Sequence, residues 1–243
     1  MKKRMQILMV VLFCAVLLAG CGAGDGSSLS FEFDLNDSEG WEGGFTDLPV
    51  NYEEDIYELE FAHAPLPEEL GAGKKGLKLR SHNRSDDLFM YISRRLGAAD
   101  GLKPDTAYLV EIAVEFATSV PAGLVGIGGS PGESVFVKVG AAGEKPVALA
   151  VGEGDQAYYE LNIDKGAQSD AGCYTRVVGN IAKEDGSEDD SYALKSLDNE
   201  GEAIEVTTDG EGNLWIFVGT DSGFEGLTIL YYTGVQVTLT EKA

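Results

Sequence analysis

The segment YLVEIAVEF puts Tyr108, Val110, Ile112, Val114 and Phe116 on one side and Leu109, Glu111, Ala113 and Glu115 on the other. An apolar residue at every second position is the signature of a strand buried on one face. VQVTLT near the C-terminus repeats it with Val235, Val237 and Leu239 inward, and SVFVKV, YYELNI and NLWIFV are further β-branched or aromatic runs. Gly, Asn and Asp clusters separate these runs, and TTDGEGN predicts a hairpin turn leading into NLWIFV. No segment holds an apolar i, i+3, i+4 pattern, and PLPEEL predicts only a short helical turn. SYALKSL predicts an edge strand within a long exposed loop from Asp185 to Gly201. About a dozen short strands in one domain imply two packed sheets. The expected fold is all-β: a two-sheet, jelly-roll-like β-sandwich, mostly antiparallel, with little helix.

The N-terminus departs from this pattern. A basic MKKR precedes an unbroken apolar run from Ile7 to Leu18, too short to span a bilayer and followed by small residues. Residues 1–20 therefore read as a cleaved export signal. The tetrapeptide Leu18-Ala19-Gly20-Cys21 resembles the lipobox of bacterial lipoproteins. That resemblance implies that Cys21 is diacylated on sulfur, with chains such as palmitate, and becomes the new N-terminus. It also implies that Gly22, not being Asp, permits onward sorting from the cell membrane to an outer membrane where one exists. Two or three acyl chains anchor stably where one holds only marginally. Residues 21–28 then form a flexible tether, and 29–243 a single extracytoplasmic domain.

Charge narrows the partners. The chain carries 18 Lys+Arg against 41 Asp+Glu, a formal net charge of -23, and loss of the signal takes away only basic residues. A field of that sign repels phosphate backbones, so nucleic acid is not an expected partner. Of the three cysteines only Cys173 remains after processing and lipidation, so no intramolecular disulfide is expected. It is expected to be a small buried residue.

FEFDLNDSEGW, LKPDTAYLVEIAVEF and ILYYTGVQVTL resemble the opening, central and closing strands of galactose-binding-like jelly rolls, the sandwiches of many carbohydrate-binding modules. That resemblance implies carbohydrate binding, with a structural calcium ion near the first and last strands, here directing attention to Asp34, Asn36 and Asp37. Apart from the resemblance, loops rich in Asp, Glu and Asn suit a hard cation, although no stretch has EF-hand spacing. The chain as a whole also resembles bacterial lipoproteins of uncharacterised function, which implies no activity.

Two serines match hydrolase motifs formally. Ser130, in Gly128-Gly129-Ser130-Pro131-Gly132, fits G-x-S-x-G, but Pro131 has no N–H for an oxyanion hole, and both histidines lie upstream. Ser130 to Glu133 instead predicts a type II turn at a hairpin tip, with Gly126, Gly128 and Gly129 marking a bulge or a close approach. Asp221-Ser222-Gly223 resembles a chymotrypsin-like motif in part, but Thr220 and Phe224 stand where the motif glycines belong. A polar loop is the expected form.

SHNRSDDLFMYISRRL is the densest polar cluster leading into an apolar run. Asn83, Arg84, Asp86 and Asp87 offer amide, guanidinium and carboxylate groups for sugar hydroxyls, and Trp41, Tyr52 and Tyr91 are candidate aromatic platforms. The plainer alternatives are Arg and Asp satisfying one another, and aromatics packing in the core. The expected function is non-catalytic binding of a carbohydrate or other polar envelope ligand by a lipid-anchored protein. The alternatives are an envelope structural or assembly lipoprotein and a glycan-active hydrolase with paired carboxylates.

Overall fold

The alternation in YLVEIAVEF becomes one long strand, Ala107–Thr118, with every second side chain buried, and VQVTLT becomes the end of another, Leu227–Glu241. In a computed structural model that describes residues 27–184 and 186–242, the strands run in chain order as β1 (Ser28–Asp34), β2 (Trp41–Thr46), β3 (Leu48–Pro49), β4 (Glu60–Pro65) and β5 (Lys75–His82). They continue as β6 (Leu88–Leu96), β7 (Ala107–Thr118), β8 (Val135–Ala142), β9 (Ala148–Val151) and β10 (Tyr158–Leu161). The last five are β11 (Thr175–Asn180), β12 (Ala193–Asp198), β13 (Ile204–Thr207), β14 (Leu214–Ser222) and β15 (Leu227–Glu241). Helix is confined to single turns, one of them Glu68–Leu70 in PLPEEL.

Two antiparallel sheets form a jelly-roll-like sandwich. The first has the order β12-β7-β15-β5-β4, with β1 also on β15 and β13 also on β7; the second has the order β11-β8-β14-β6-β2. Their facing sides, with Val110, Ile112, Val235 and Val237 from one sheet and Ile92, Val137, Val139 and Val218 from the other, make a continuous core. SYALKSL supplies β12, at the edge of its sheet as expected. A third small sheet, β3-β10-β9, joins β3, which follows β2, to β9 and β10 of an excursion between β8 and β11 that folds back over the outer face of the second sheet.

Under that excursion a second apolar layer forms. Phe89 and Tyr91 stack at 5.3 Å, Phe217 meets Tyr91 edge-on at 6.4 Å, and Leu161 and Ile163 close over them. Gly140 and Gly219 are the strand positions on which these rings lie: a Cβ on Gly140 would sit 2.1 Å from the Phe217 ring.

Several sequence expectations need correction. TTDGEGN is not a hairpin turn: β13 pairs with β7 in one sheet and β14 with β6 and β8 in the other, so it is a crossover. Asp209 shapes it by accepting from the N–H groups of Glu211 and Asn213. Ser130 does not sit in a type II turn at a hairpin tip. Gly132 lacks the positive φ that turn requires, and the Ser134 N–H donates to the Ser130 carbonyl over 3.1 Å in one helical turn. The Ser130 hydroxyl pairs with Glu133 and accepts from the Gly132 and Glu133 N–H groups, as a capping residue does. Thr220-Asp221-Ser222 is not an exposed loop but the buried end of β14. Cys173 is exposed, not buried, because its N–H is spent on the Asp164 carboxylate at the surface. Ser28 pairs with Thr240, so the last residue of the expected tether belongs to β1. The rest of the tether, the signal segment and Cys21 lie outside the described residues, and no helix among those described is long and apolar enough to cross a membrane.

Candidate functional site: a polar cleft across the first sheet

β15 exchanges neighbours halfway along its length. Leu227 to Tyr232 pair with β5, Gly234 to Thr240 pair with β1, and Thr233 is a bulge against β7, where the register shifts between Tyr232 and Gly234. β5 and β1 thus meet end to end along one edge of β15, and a bulge at such a junction opens the surface locally.

The register puts one polar row across that opening. Ser196 of β12 pairs with Glu115 of β7, Glu115 with Gly234 of β15, and Gly234 with Asp34 of β1. Residues paired in register point to the same side of a sheet, so the three side chains share the outer face and Gly234 leaves the floor between them bare. With strands about 4.8 Å apart, the Glu115 and Asp34 backbones stand roughly 10 Å from one another. The next row carries Gln236 and Glu32. Together they line a cleft of about 440 Å³, and Asp34, Glu115 and Thr233 are shared with an adjoining one of about 230 Å³ that runs under the β4–β5 connection to Leu66 and Leu70. The Thr233 hydroxyl donates to Glu115 over 2.7 Å, which fixes one wall. Tyr231 stands on the same face one row along, beside Ala117, in edge contact with Tyr192 at 5.5 Å.

Chemically the cleft offers hydroxyl, amide and carboxylate groups above a small-residue floor, beside a half-buried tyrosine. The set is suited to hydroxyl groups, which donate to carboxylates and exchange donor and acceptor roles with Ser, Thr and Gln.

The residues singled out from the sequence do not assemble there. Asn83 is buried, and its amide donates to the Ser222 and Phe224 carbonyls, pinning the loop after β14. Arg84 is exposed and reaches His82 at 3.4 Å, while Asp86 is exposed with φ 71° and its carbonyl accepts from Gln168. Trp41 and Tyr91 are core residues: Trp41 packs edge-on against Phe33, and the Tyr91 hydroxyl donates to the Pro146 carbonyl. Tyr52 packs against Tyr57. Trp41 and Tyr91 are therefore not sugar platforms, because packing has taken their faces.

The expected calcium oxygens are each engaged by backbone N–H groups. Asp34 accepts from the Asn36 N–H, Asp37 from the Glu39 N–H, and the Asn36 side chain from the Lys75 N–H, so all three hold the turn after β1. Of the three, Asp34 lines the cleft between β1 and β7.

Asp87 belongs to a second constellation, buried under the excursion. Asp221 is fully buried; its Oδ2 accepts from Lys138 Nζ at 2.7 Å and Lys165 Nζ at 2.8 Å, and Lys165 also reaches Asp47 at 2.9 Å. Lys138 further donates to the Lys165 carbonyl, as does the Thr175 hydroxyl. Burial, hydrogen bonding to Asp221 and the Asp221 charge push the Asp87 carboxyl up to about 8, whereas Asp221, despite its burial, is held below the usual carboxylate range by Lys165, by the bond to Asp87 and by Lys138. Burial likewise lowers Lys138. Oxygens of Asp47, Asp87 and Asp221 lie within 4.8 Å of one another, a spacing that fits a metal ion. The Lys165 ammonium already bridges Asp47 and Asp221, so it occupies the cation's place. Lys138 and Lys165 went unrecognised in the sequence because they are separated from their carboxylates by up to 118 residues, as for Lys165 and Asp47.

No protein-family profile and no curated protein matches the chain. Solved structures similar to it include a mannan-recognising carbohydrate-binding module, TmCBM27, with 12% identity, TM-score 0.36, and coverage of 89% of this chain and 99% of that one. Another is the CBM22-1 xylan-binding domain from Paenibacillus barcinonensis Xyn10C, with 14% identity, TM-score 0.34, and coverage of 91% and 100%. A third, from work on promiscuous β-sandwich carbohydrate-binding modules, has 12% identity and TM-score 0.32; 80% of this chain spans 55% of its length. Likenesses at these scores carry no weight for what this chain binds, and the fold stands on its own strand pairings.

Proposed function

We propose that this is a lipid-anchored, extracytoplasmic, non-catalytic protein that binds a glycan in the cleft across Gly234. The observation that supports it is the register row Ser196, Glu115, Gly234, Asp34, which puts hydrogen-bonding side chains on both sides of a floor without a side chain. Glu32, Asp34 and Glu115 all line the larger cleft, where no Lys or Arg stands among the described residues, Lys74 and Lys75 lining only the adjoining one, so the ligand of the larger cleft is a neutral saccharide and not a uronate or phosphate-bearing polymer. Tyr231 supplies an aromatic neighbour for a sugar's C–H face.

A glycan array probed with protein lacking residues 1–21 tests this. Binding to neutral glycans that Asp34→Ala weakens supports the reading. Binding that Asp34→Ala and Glu115→Ala leave unchanged moves the site elsewhere, a blank array favours a structural or assembly role, and release of reducing ends favours a hydrolase. Anchoring through Cys21 has a separate test: Cys21→Ser should leave the protein unprocessed or free of membranes, and unchanged lipid labelling would refute it.

A further inference from the structure

The constellation under the excursion holds three carboxylates against two ammonium groups, one negative charge too many for a buried interface. Asp221 Oδ2 takes both ammonium groups, while its Oδ1 and the Oδ1 of Asp87 are buried with no hydrogen-bond partner. Two buried carboxylates whose oxygens approach within 4.8 Å, each with an oxygen that has no donor, are not stable as a pair of anions. A single proton between them supplies the donor and removes the surplus charge. We propose that the Asp87–Asp221 pair carries one shared proton that latches residues 161–174 onto the outer face of the second sheet, and that the latch weakens as this proton is lost.

The groups that face the pair come from every element around it. Lys138 projects from β8 and Asp221 from β14, Asp47 follows β2, and Lys165 comes from the latched segment itself. Glu160 on β10 lies near Asp47, and Asp164 lies near Lys138, where it accepts from the Gly166 and Cys173 N–H groups. Lys165 is the mechanical link: its ammonium grips Asp47 and Asp221, and its carbonyl accepts from Lys138 and Thr175. An ionised Asp87 leaves those contacts with an unbalanced anion. Release of the segment would uncover the Phe89, Tyr91 and Phe217 layer on which Leu161 and Ile163 pack.

The sign follows from linkage: the closed form keeps the proton into the alkaline range, the open form gives it up as an ordinary carboxyl does, and opening is therefore favoured as pH rises until both have lost it. Residue-resolved hydrogen exchange, corrected for intrinsic rates, should show opening of residues 161–174 increasing by about tenfold per pH unit between roughly pH 5 and pH 8, then levelling off. Amides of β7 and β15, which open only with the whole fold, should stay far better protected than this segment at every pH. In Asp87→Asn, uncharged at all pH and still a donor to Asp221, the slope should vanish. The same slope in Asp87→Asn would overturn the proposal and assign the proton to Asp47, while opening that falls with pH would point to Lys138 and overturn it equally. Should that variant not fold, carboxyl ¹³C shifts of the unaltered protein decide: one of the two carboxyls protonated at neutral pH supports the latch, and both ionised refutes it.

Discussion

Glu115 and Asp34 face one another across Gly234, each paired in register with that glycine from opposite sides of β15. A Cβ added at Gly234 would meet the Phe33 carbonyl oxygen only at 3.7 Å and the Glu115 side chain at 4.0 Å, ordinary contact distances. Gly234→Leu should therefore fill the cleft without disturbing the sheet. We expect glycan affinity to drop at least about tenfold, roughly 1.4 kcal/mol, with the melting temperature nearly unchanged. Calorimetric titration beside a thermal melt checks both halves, and retained affinity would remove the cleft from consideration.

The ion constellation has a different vulnerability. Asp221→Asn leaves Lys138, whose side chain is wholly buried, with a neutral amide in place of its counter-ion. Breaking a buried pair on one side costs about 3–5 kcal/mol, so the urea midpoint should fall steeply. A loss under about 1 kcal/mol, the scale of an exposed pair, would mean that water reaches the cluster.

Global stability should also depend on pH through Asp87. The folded carboxyl holds its proton up to about 8, whereas 3.8 is the ordinary value, so the folded chain binds more protons between them. Stability contributed by this group is complete below the ordinary value and is lost as pH rises through that window, by at most about 1.4 kcal/mol per pH unit. Glu58 and Asp164 act in the opposite sense. Arg80 and His82 hold Glu58 low, and the N–H groups of Cys173 and Gly166 with the Cys173 thiol hold Asp164 low, so their contribution is lost as pH falls through the acid range. Denaturant midpoints measured across pH should show a decline as pH rises from about 4 to about 8 that Asp87→Asn flattens, and a decline at acid pH that it leaves intact.

The loop around Gly128 gives a fourth test. Its φ is +72°, and a Cβ there would lie 2.3 Å from the Gly223 carbonyl oxygen, so the loops after β7 and β14 pack backbone to backbone. The neighbouring Ile127 carbonyl accepts from the Glu225 N–H at 2.9 Å. Gly128→Ala should cost about 1–3 kcal/mol, the scale of a left-handed non-glycine residue, and Ser130→Ala much less. Comparison of their melting temperatures checks the ranking.

The sequence alone carried the strands and the sandwich. Over residues 108–116 of β7 and 235–240 of β15 the period-two alternation corresponds residue for residue with burial, because a half-buried strand exposes its periodicity to any reader of the chain. It also pointed to a close approach at the glycines, which is the Phe224 ring at Gly126, the Gly223 carbonyl at Gly128 and the Ser134 side chain at Gly129. It did not carry sheet membership. TTDGEGN has hairpin composition, yet its flanking strands belong to different sheets, and turn chemistry is the same in both cases. Thr220-Asp221-Ser222 has loop composition and is a buried strand end, because its neighbours in space, Lys138 and Lys165, neutralise the aspartate.

What composition and alternation determined was therefore local: which stretches are strands, which faces turn inward, and how acidic the surface is. Only the tertiary structure decided which polar residues meet. Ser196, Glu115 and Asp34 come from three strands spread over the chain, and register across four strands, with a bulge at Thr233, is what sets them around one glycine. Asp47, Asp87, Lys138, Lys165 and Asp221 likewise become one ion cluster only when a segment folds back over a sheet. Strand pairing and burial are cooperative properties of the whole chain, and neither leaves a trace in the spacing of the residues it brings together.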